Sequence, residues 1–232
     1  MATIAIIPAR GGSKRIPRKN IRPFLGKPIL AYSIEVALQS QLFSEVMVST
    51  EDDEITALAH QYGATVPFRR SEQAAGDYAG TTDVLLEVLD RYESRGQVFD
   101  YGCCVYPTAP FITIDLLARA WRLLIEHDYD SVFPVLRFSY PIQRALKLDG
   151  RQATMFWPEH YTARSQELVP AYHDAGQFYW FHSAAIRQKK RLWTDHCGAM
   201  VISELDAHDI DTLEDWALAE FKYQYRLSRA QT

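Results

Sequence analysis

Short apolar runs alternate with amphipathic ones over the first 135 residues. The β-branched run at 3–8 ends in Pro8 and is followed by paired glycines, which predicts a buried strand. Residues 29–38 have helical spacing, with Pro28 suited to the first turn. A strand is expected at 45–49, then a helix over 52–61 with Thr50 as its N-cap and Gly63 as its stop. Residues 65–68 read as another short strand. Val84, Leu85, Val88, Leu89 and Tyr92 form a 3.6-residue stripe over 82–95. A strand at 101–106 stops at Pro107, Thr113 opens a helix to about residue 127, and 131–135 is strand-like. Such alternation predicts an α/β fold: a doubly wound, mostly parallel sheet with helices on both faces.

Between 138 and 173 the pattern changes. Pro141, Pro158 and Pro170 interrupt it, and pieces such as 143–148 look like hairpin arms. A small β-rich insertion over one end of the sheet is expected, within a single domain spanning 1–232. Strands resume at 178–182 and 200–203, and a helix over 212–225 closes the chain.

Composition narrows the function classes. The 232 residues are 47% hydrophobic and 23% charged, which fits a globular chain with a substantial core. A net charge of −4 argues against a general nucleic-acid binder, so any anion site must come from a local cluster. Cys103, Cys104 and Cys197 are odd in number and two are adjacent. That argues against a disulfide framework and for a reducing cytoplasm. The first apolar run is too short for a signal segment, and no stretch approaches the ~18 apolar residues of a span, so no membrane partner is expected.

The cluster follows the first strand. Ala9-Arg10-Gly11-Gly12-Ser13-Lys14-Arg15-Ile16-Pro17-Arg18-Lys19-Asn20 sits at a strand exit, where ligands bind in open parallel sheets. Paired glycines let the backbone approach an anion, and Arg10, Lys14, Arg15, Arg18 and Lys19 supply positive charge. A triphosphate matches this mixture of point charges and planar forks; a solvated basic patch is the plainer alternative. Neither the dinucleotide nor the Walker fingerprint is present.

Near the other end, Asp209 and Asp211 flank Ile210 at a strand exit. Residues two apart in extended chain share a side, so the two carboxylates face together while Ile210 packs inward. Their repulsion favours a cation between them, and Mg²⁺ suits one or two carboxylates with phosphate and water as further ligands. Capping of the last helix by Asp211 or Thr212 is the alternative.

Residues 6–20 resemble the signature loop of the CMP-sialic acid synthetase family, cytidylyltransferases that activate nonulosonic acids. The resemblance implies a Rossmann-like nucleotidyltransferase whose loop wraps the triphosphate of CTP. Ala9, Arg10, Gly11, Gly12, Ser13, Lys14, Lys19 and Asn20 are then nucleotide-binding, with Lys19 and Arg10 catalytic and Asp209 and Asp211 both catalytic and holding Mg²⁺. Arg69-Arg70-Ser71-Glu72 followed by Thr81-Thr82-Asp83 resembles the region framing base and ribose, which implicates Arg69 or Arg70, and Thr82. Val105-Tyr106-Pro107-Thr108-Ala109-Pro110 resembles a strand-exit motif that reads Leu-Gln-Pro-Thr-Ser-Pro in the sialic acid enzymes. It adds Pro107 and Thr108 to the nucleotide site, while Tyr106 in place of glutamine points to another sugar. Residues 173–180, His-Asp-Ala-Gly-Gln-Phe-Tyr-Trp, look like the pseudaminic acid branch.

The resemblance therefore implies CTP and a nine-carbon 2-keto sugar acid as partners. Tyr106, Gln177 and Tyr179 are placed on the sugar, and Arg144, Lys147 or Arg164 on its carboxylate. N-acetylneuraminic, legionaminic and deoxyoctulosonic acids stay open as acceptors, as does a catalytically silent nucleotide-binding module. No side-chain base stands out among His173, His182 and His208. The insertion implies a homodimer. Cys103 or Cys104 as a hydrolase nucleophile is disfavoured by its place in a buried strand.

Overall fold

The computed structural model describes residues 1–76 and 79–230. The chain begins with β1 (Thr3–Pro8), a small hairpin of β2 (Pro23–Phe24) and β3 (Lys27–Pro28), and α1 (Ile29–Ser40). β4 (Glu45–Ser49), α2 (Asp53–Gln61), α3 (Glu72–Ala75), α4 (Thr81–Glu93), β5 (Tyr101–Val105), α5 (Ile114–His127) and β6 (Ser131–Arg137) follow. Then come β7 (Leu146–Asp149), β8 (Gln152–Met155), β9 (Tyr172–Asp174), β10 (Phe178–His182), α6 (Ser183–Lys189), β11 (Cys197–Val201) and α7 (Leu213–Ala230).

Among the described residues the central sheet runs β11-β6-β10-β5-β1-β4, with β9 also paired to β6. β1 is parallel to β4 and β5, and β6 is parallel to β11. β10 lies antiparallel between β5 and β6, and β9 is antiparallel to β6. The sheet is thus mostly parallel and covered on both faces. Alternation along each strand divides the core: Ala5, Ile7, Cys103, Val105, Phe178 and Trp180 pack with α1, α2 and α5. Ile4, Ile6, Cys104, Tyr179 and Phe181 face α4 and α6 instead. Gly102 is what admits β10, since a Cβ there would lie 2.3 Å from the Phe181 ring on the paired residue.

Several sequence expectations shift at the edges. Thr50 does not cap α2; Asp52 does, accepting from the Ile55 amide at 3.0 Å, while the Thr50 hydroxyl accepts from the Asp52 amide at 3.1 Å. The strand expected at 65–68 is one parallel bridge between Met47 and Thr65, because Pro67 has no N–H with which to extend a ladder. β5 stops at Val105, although the Tyr106 amide still reaches the Gln177 carbonyl at 2.8 Å. Thr113 caps α5 as expected, accepting from Leu116 at 3.2 Å. Within 138–173, β7 and β8 form their own two-stranded sheet around Gly150, whose φ of 58° suits a tight turn. Among the described residues no helix is long and apolar enough to cross a membrane.

Candidate active site

A cavity of about 620 Å³ opens where β1 and β5 end. Arg10, Ser13, Lys14, Arg15, Lys19 and Asn20 line it from the loop after β1, and Tyr106, Pro107 and Thr108 from the loop after β5. Asp211 completes it from the far end of the sequence.

Apolar packing is what joins the two ends of the chain. Ile16, inside the basic loop, and Ile210, between the aspartates, are both fully buried and belong to one cluster with Phe24, Phe111 and Trp216. Phe24 makes edge contacts with Tyr32, Trp216 and Tyr223 at centroid distances of 5.6–5.7 Å, which pins α7 beside the β2–β3 hairpin. With Ile210 held inward, Asp211 turns to the cavity. There Arg15 reaches its carboxylate at 2.7 Å and the Lys19 ammonium lies 3.6 Å away. Lys19 also donates to the Ile210 carbonyl at 2.5 Å. Capping does not occupy Asp211: the Asp215 carboxylate accepts from the Asp211 and Thr212 amides at 3.1 and 2.8 Å, and the Thr212 hydroxyl accepts from the Asp215 amide at 3.2 Å.

The loop after β1 is braced from beneath. Ala9 is fully buried, its amide on the Ser49 carbonyl, so it frames the loop from the core. The Asn20 amide donates to the Arg10 carbonyl at 2.9 Å. Arg18 takes a left-handed φ of 55° and forks onto Asp52 and Glu54, so its charge serves the start of α2. The Gly11 amide is committed to Glu51 at 2.7 Å. Of the two glycines only Gly11 is sterically required, because a Cβ there would sit 2.5 Å from Asp52 Oδ2, whereas one on Gly12 meets no atom within 4 Å. Asp52 is immobilised by its cap and its ion pair, so Gly11→Ala is expected to cost about 1–3 kcal/mol in denaturant unfolding.

The Arg18 guanidinium also holds the Asp52 carboxyl down at about 2. A lowered folded value contributes stability above the unfolded one and loses it as pH falls through the folded one. Melting temperature should therefore drop between about pH 4 and about 2 more steeply for the wild type than for Asp52→Asn, which keeps a capping side chain. Parallel acid profiles would refute this coupling.

In the base-framing region the structure chooses between the two candidate arginines and moves the threonine by one position. Arg70, not Arg69, lines the cavity, buried with its guanidinium on Ser49 Oγ at 3.0 Å and the Ser49 carbonyl at 2.5 Å. Burial pulls its pKa below the usual arginine value. Arg69 is exposed and pairs with Asp53 at 2.8 Å. Thr81 rather than Thr82 is on the wall, its hydroxyl 3.4 Å from that of Tyr106.

The expected sugar contacts divide more sharply. Tyr106 is on the wall, but Gln177 is buried, its amide nitrogen on the Asp206 carbonyl at 2.6 Å. Tyr179 is also buried, beside Tyr106 and Phe133, and donates its hydroxyl to Asp174. Neither lines the cavity: Tyr179 is packed into the core, and Gln177 is tied to Asp206. Arg144, Lys147 and Arg164 lie on the exposed 138–173 segment, where Arg144 holds the Ala163 carbonyl and Arg164 pairs weakly with Glu167. None of the three is on the wall of this chain's cavity. Cys103 and Cys104 are fully buried, and burial pushes both thiols upward, as inert core residues require. His182 caps α6, and His173 packs against Phe138.

Asp209 lies beside Gly176 and near Asp211. Its carboxyl is held above the usual carboxylate range, first by desolvation and then by the charge of Asp211. Asp211 is on the cavity wall and Asp209 is not among the residues that line it; carboxylate oxygens of this kind are hard donors that suit a small divalent cation. No group of three or more His, Cys, Asp or Glu side chains among the described residues makes a closed metal cage. A cation held here would complete its shell from substrate and water.

Residues 4–195 match a family model described as Cytidylyltransferase. The chain is 44% identical over 225 residues to a pseudaminic acid cytidylyltransferase of Campylobacter jejuni, covering 97% of each. It is 32% identical over 225 residues to a CMP-N,N'-diacetyllegionaminic acid synthase of Legionella pneumophila, covering 95% of each. Its fold matches that of a CMP:2-keto-3-deoxy-manno-octonic acid synthetase complexed with CTP, with a TM-score of 0.71 at 19% identity over 98% of this chain and 100% of that one.

Proposed function

The chain belongs to the cytidylyltransferase family, and on that footing we propose that it transfers CMP from CTP to the anomeric hydroxyl of pseudaminic acid, releasing pyrophosphate. The observation that carries this reading is the meeting of Lys19 and Asp211, 3.6 Å apart, on the wall of one cavity. Cations that suit a triphosphate and a carboxylate that suits a metal thus share one chamber. The relatives supply the acceptor: the Campylobacter protein named for pseudaminic acid is more similar to this chain than the Legionella protein named for the legionaminic derivative.

In the reaction the sugar hydroxyl oxygen bonds to the α-phosphorus of CTP as its proton passes to solvent, and the bond from that phosphorus to the α–β bridging oxygen breaks, its electron pair leaving with pyrophosphate. Alignment and charge neutralisation govern such a transfer more than covalent catalysis does. Lys19, held in place by the Ile210 carbonyl, and Arg10 offset the charge that develops on the departing pyrophosphate. Lys14, Ser13 and Asn20 fix the triphosphate, while Arg70, Thr81, Pro107 and Thr108 frame the nucleoside. Asp209 and Asp211 would hold Mg²⁺, which would supply Lewis-acid charge at the reacting phosphate and the attacking hydroxyl.

The 138–173 segment carries Leu148, Tyr161 and Val169 exposed to solvent, and β7–β8 has no described sheet partner beyond itself. A second copy of the chain covers this face, in keeping with a cytoplasmic homodimer. Light scattering should give twice the chain mass for the wild type and a lower average mass for Leu148→Asp.

The test of the reaction is pyrophosphate release from CTP and Mg²⁺ across pseudaminic, N-acetylneuraminic, legionaminic and deoxyoctulosonic acids. Turnover greatest with pseudaminic acid is expected. Preference for another acid would overturn the acceptor assignment, and release with none would overturn the reaction.

A further inference from the structure

Behind the β5 end of the cavity two tyrosines stand in line. Tyr106, on the wall, has its ring centroid 5.4 Å from that of Tyr179, which is 3% exposed. The Tyr179 hydroxyl donates to one oxygen of Asp174, whose other oxygen accepts from the Gly176 amide at 3.0 Å. At the other side the Tyr106 hydroxyl lies 3.4 Å from Thr81 Oγ1, on the first turn of α4. Polar groups therefore run from Asp174, at the end of β9, to the mouth of the cavity.

The order of donors along this line has a consequence. A carboxylate only accepts, so the single Tyr179 proton is committed to Asp174. Tyr179 then presents only lone pairs to its surroundings, and its ring is fixed in the core by Phe133 at 5.6 Å as well as by the hydroxyl. Tyr106 packs against that fixed ring. Burial pushes the Tyr106 phenol upward, so it faces the cavity as a neutral hydroxyl.

We infer that Asp174 is a positioning residue for the proposed sugar acid: through Tyr179 it sets the ring and hydroxyl of Tyr106 on the cavity wall. Asp174 itself touches no substrate. This rests on the reading that Tyr106 faces the sugar and not the nucleotide. The larger effect falls on the sugar acid, since the basic loop that takes the triphosphate is braced separately by Glu51, Asp52 and Asn20, and Thr81 is carried by α4 whatever the setting of Tyr106.

The experiment compares steady-state kinetics of Asp174→Asn, Asp174→Glu and Tyr179→Phe with the full-length wild type, varying pseudaminic acid and CTP in turn. Wild-type turnover establishes the parent reading independently; its absence defeats that reading and this one together. Given turnover, Tyr179→Phe and Asp174→Asn should each raise KM for the sugar acid about tenfold, the cost of roughly one hydrogen-bonded contact, and leave KM for CTP within about twofold. Asp174→Glu, which restores an acceptor, should recover part of the loss. Equal rises in both KM values, a fall in kcat alone, or unchanged sugar kinetics would overturn the proposal. Should Asp174→Asn not fold, Tyr179→Phe decides the matter, because it deletes only the hydroxyl and keeps the packed ring.

Discussion

Lys19→Ala is expected to lower kcat/KM for CMP transfer by about 10²–10³, the size of effect seen when one preorganised donor to a developing anion is removed. The ammonium is 20% exposed and anchored by the Ile210 carbonyl at 2.5 Å, so it is already placed before substrate arrives. Lys19→Arg restores the charge but not the point geometry, and should recover only a fraction. Initial rates of pyrophosphate release measure both, with circular dichroism to establish that the variants fold. A loss below about tenfold would remove Lys19 from the catalytic set.

Trp180→Ala should destabilise the protein by about 3–5 kcal/mol in equilibrium urea unfolding. The indole is fully buried in the antiparallel strand β10, stacked on Phe43 at 4.8 Å and tilted against Trp121 at 4.7 Å. Its N–H donates to the Leu117 carbonyl at 3.1 Å, so the substitution also removes that bond, although the carbonyl keeps its partner within α5. Trp180→Phe retains much of the ring volume and should lose less than half as much. A cost below about 1 kcal/mol for the alanine variant would mean that β10 is not integral to the core.

Much of the architecture was legible because it is local. The run of β1, the glycine-bearing basic loop and the stripe of α4 each lie within a contiguous stretch, and each appears where periodicity placed it. What escaped the sequence depends on contacts between distant segments. Strand direction leaves no mark on a period of two, so the antiparallel setting of β10 is visible only through its partners. Arg69 and Arg70 are chemically identical neighbours, and packing against Ser49 decides which is buried at the cavity. Thr81 and Thr82 differ by one helical step, about 100° of rotation. Tyr179 carries both a ring and a hydroxyl, and the sequence does not say that Asp174 has already claimed the hydroxyl. Ile210 is the instructive success: an apolar residue between two aspartates must go inward, and its cluster with Ile16 brings the ends of the chain together.

The central place of β10 also bears on biogenesis. β5 and β6 follow one another in the chain yet never pair; the strip that joins them is residues 178–182. While the ribosome is still making the 138–173 excursion, the nascent sheet carries two raw edges of hydrogen-bonding groups, a template for mispairing with other chains. Translation must run past residue 182 before those edges are sealed. A nascent chain stalled before that point should be markedly more protease-sensitive and chaperone-bound than one stalled after the strip has emerged from the exit tunnel.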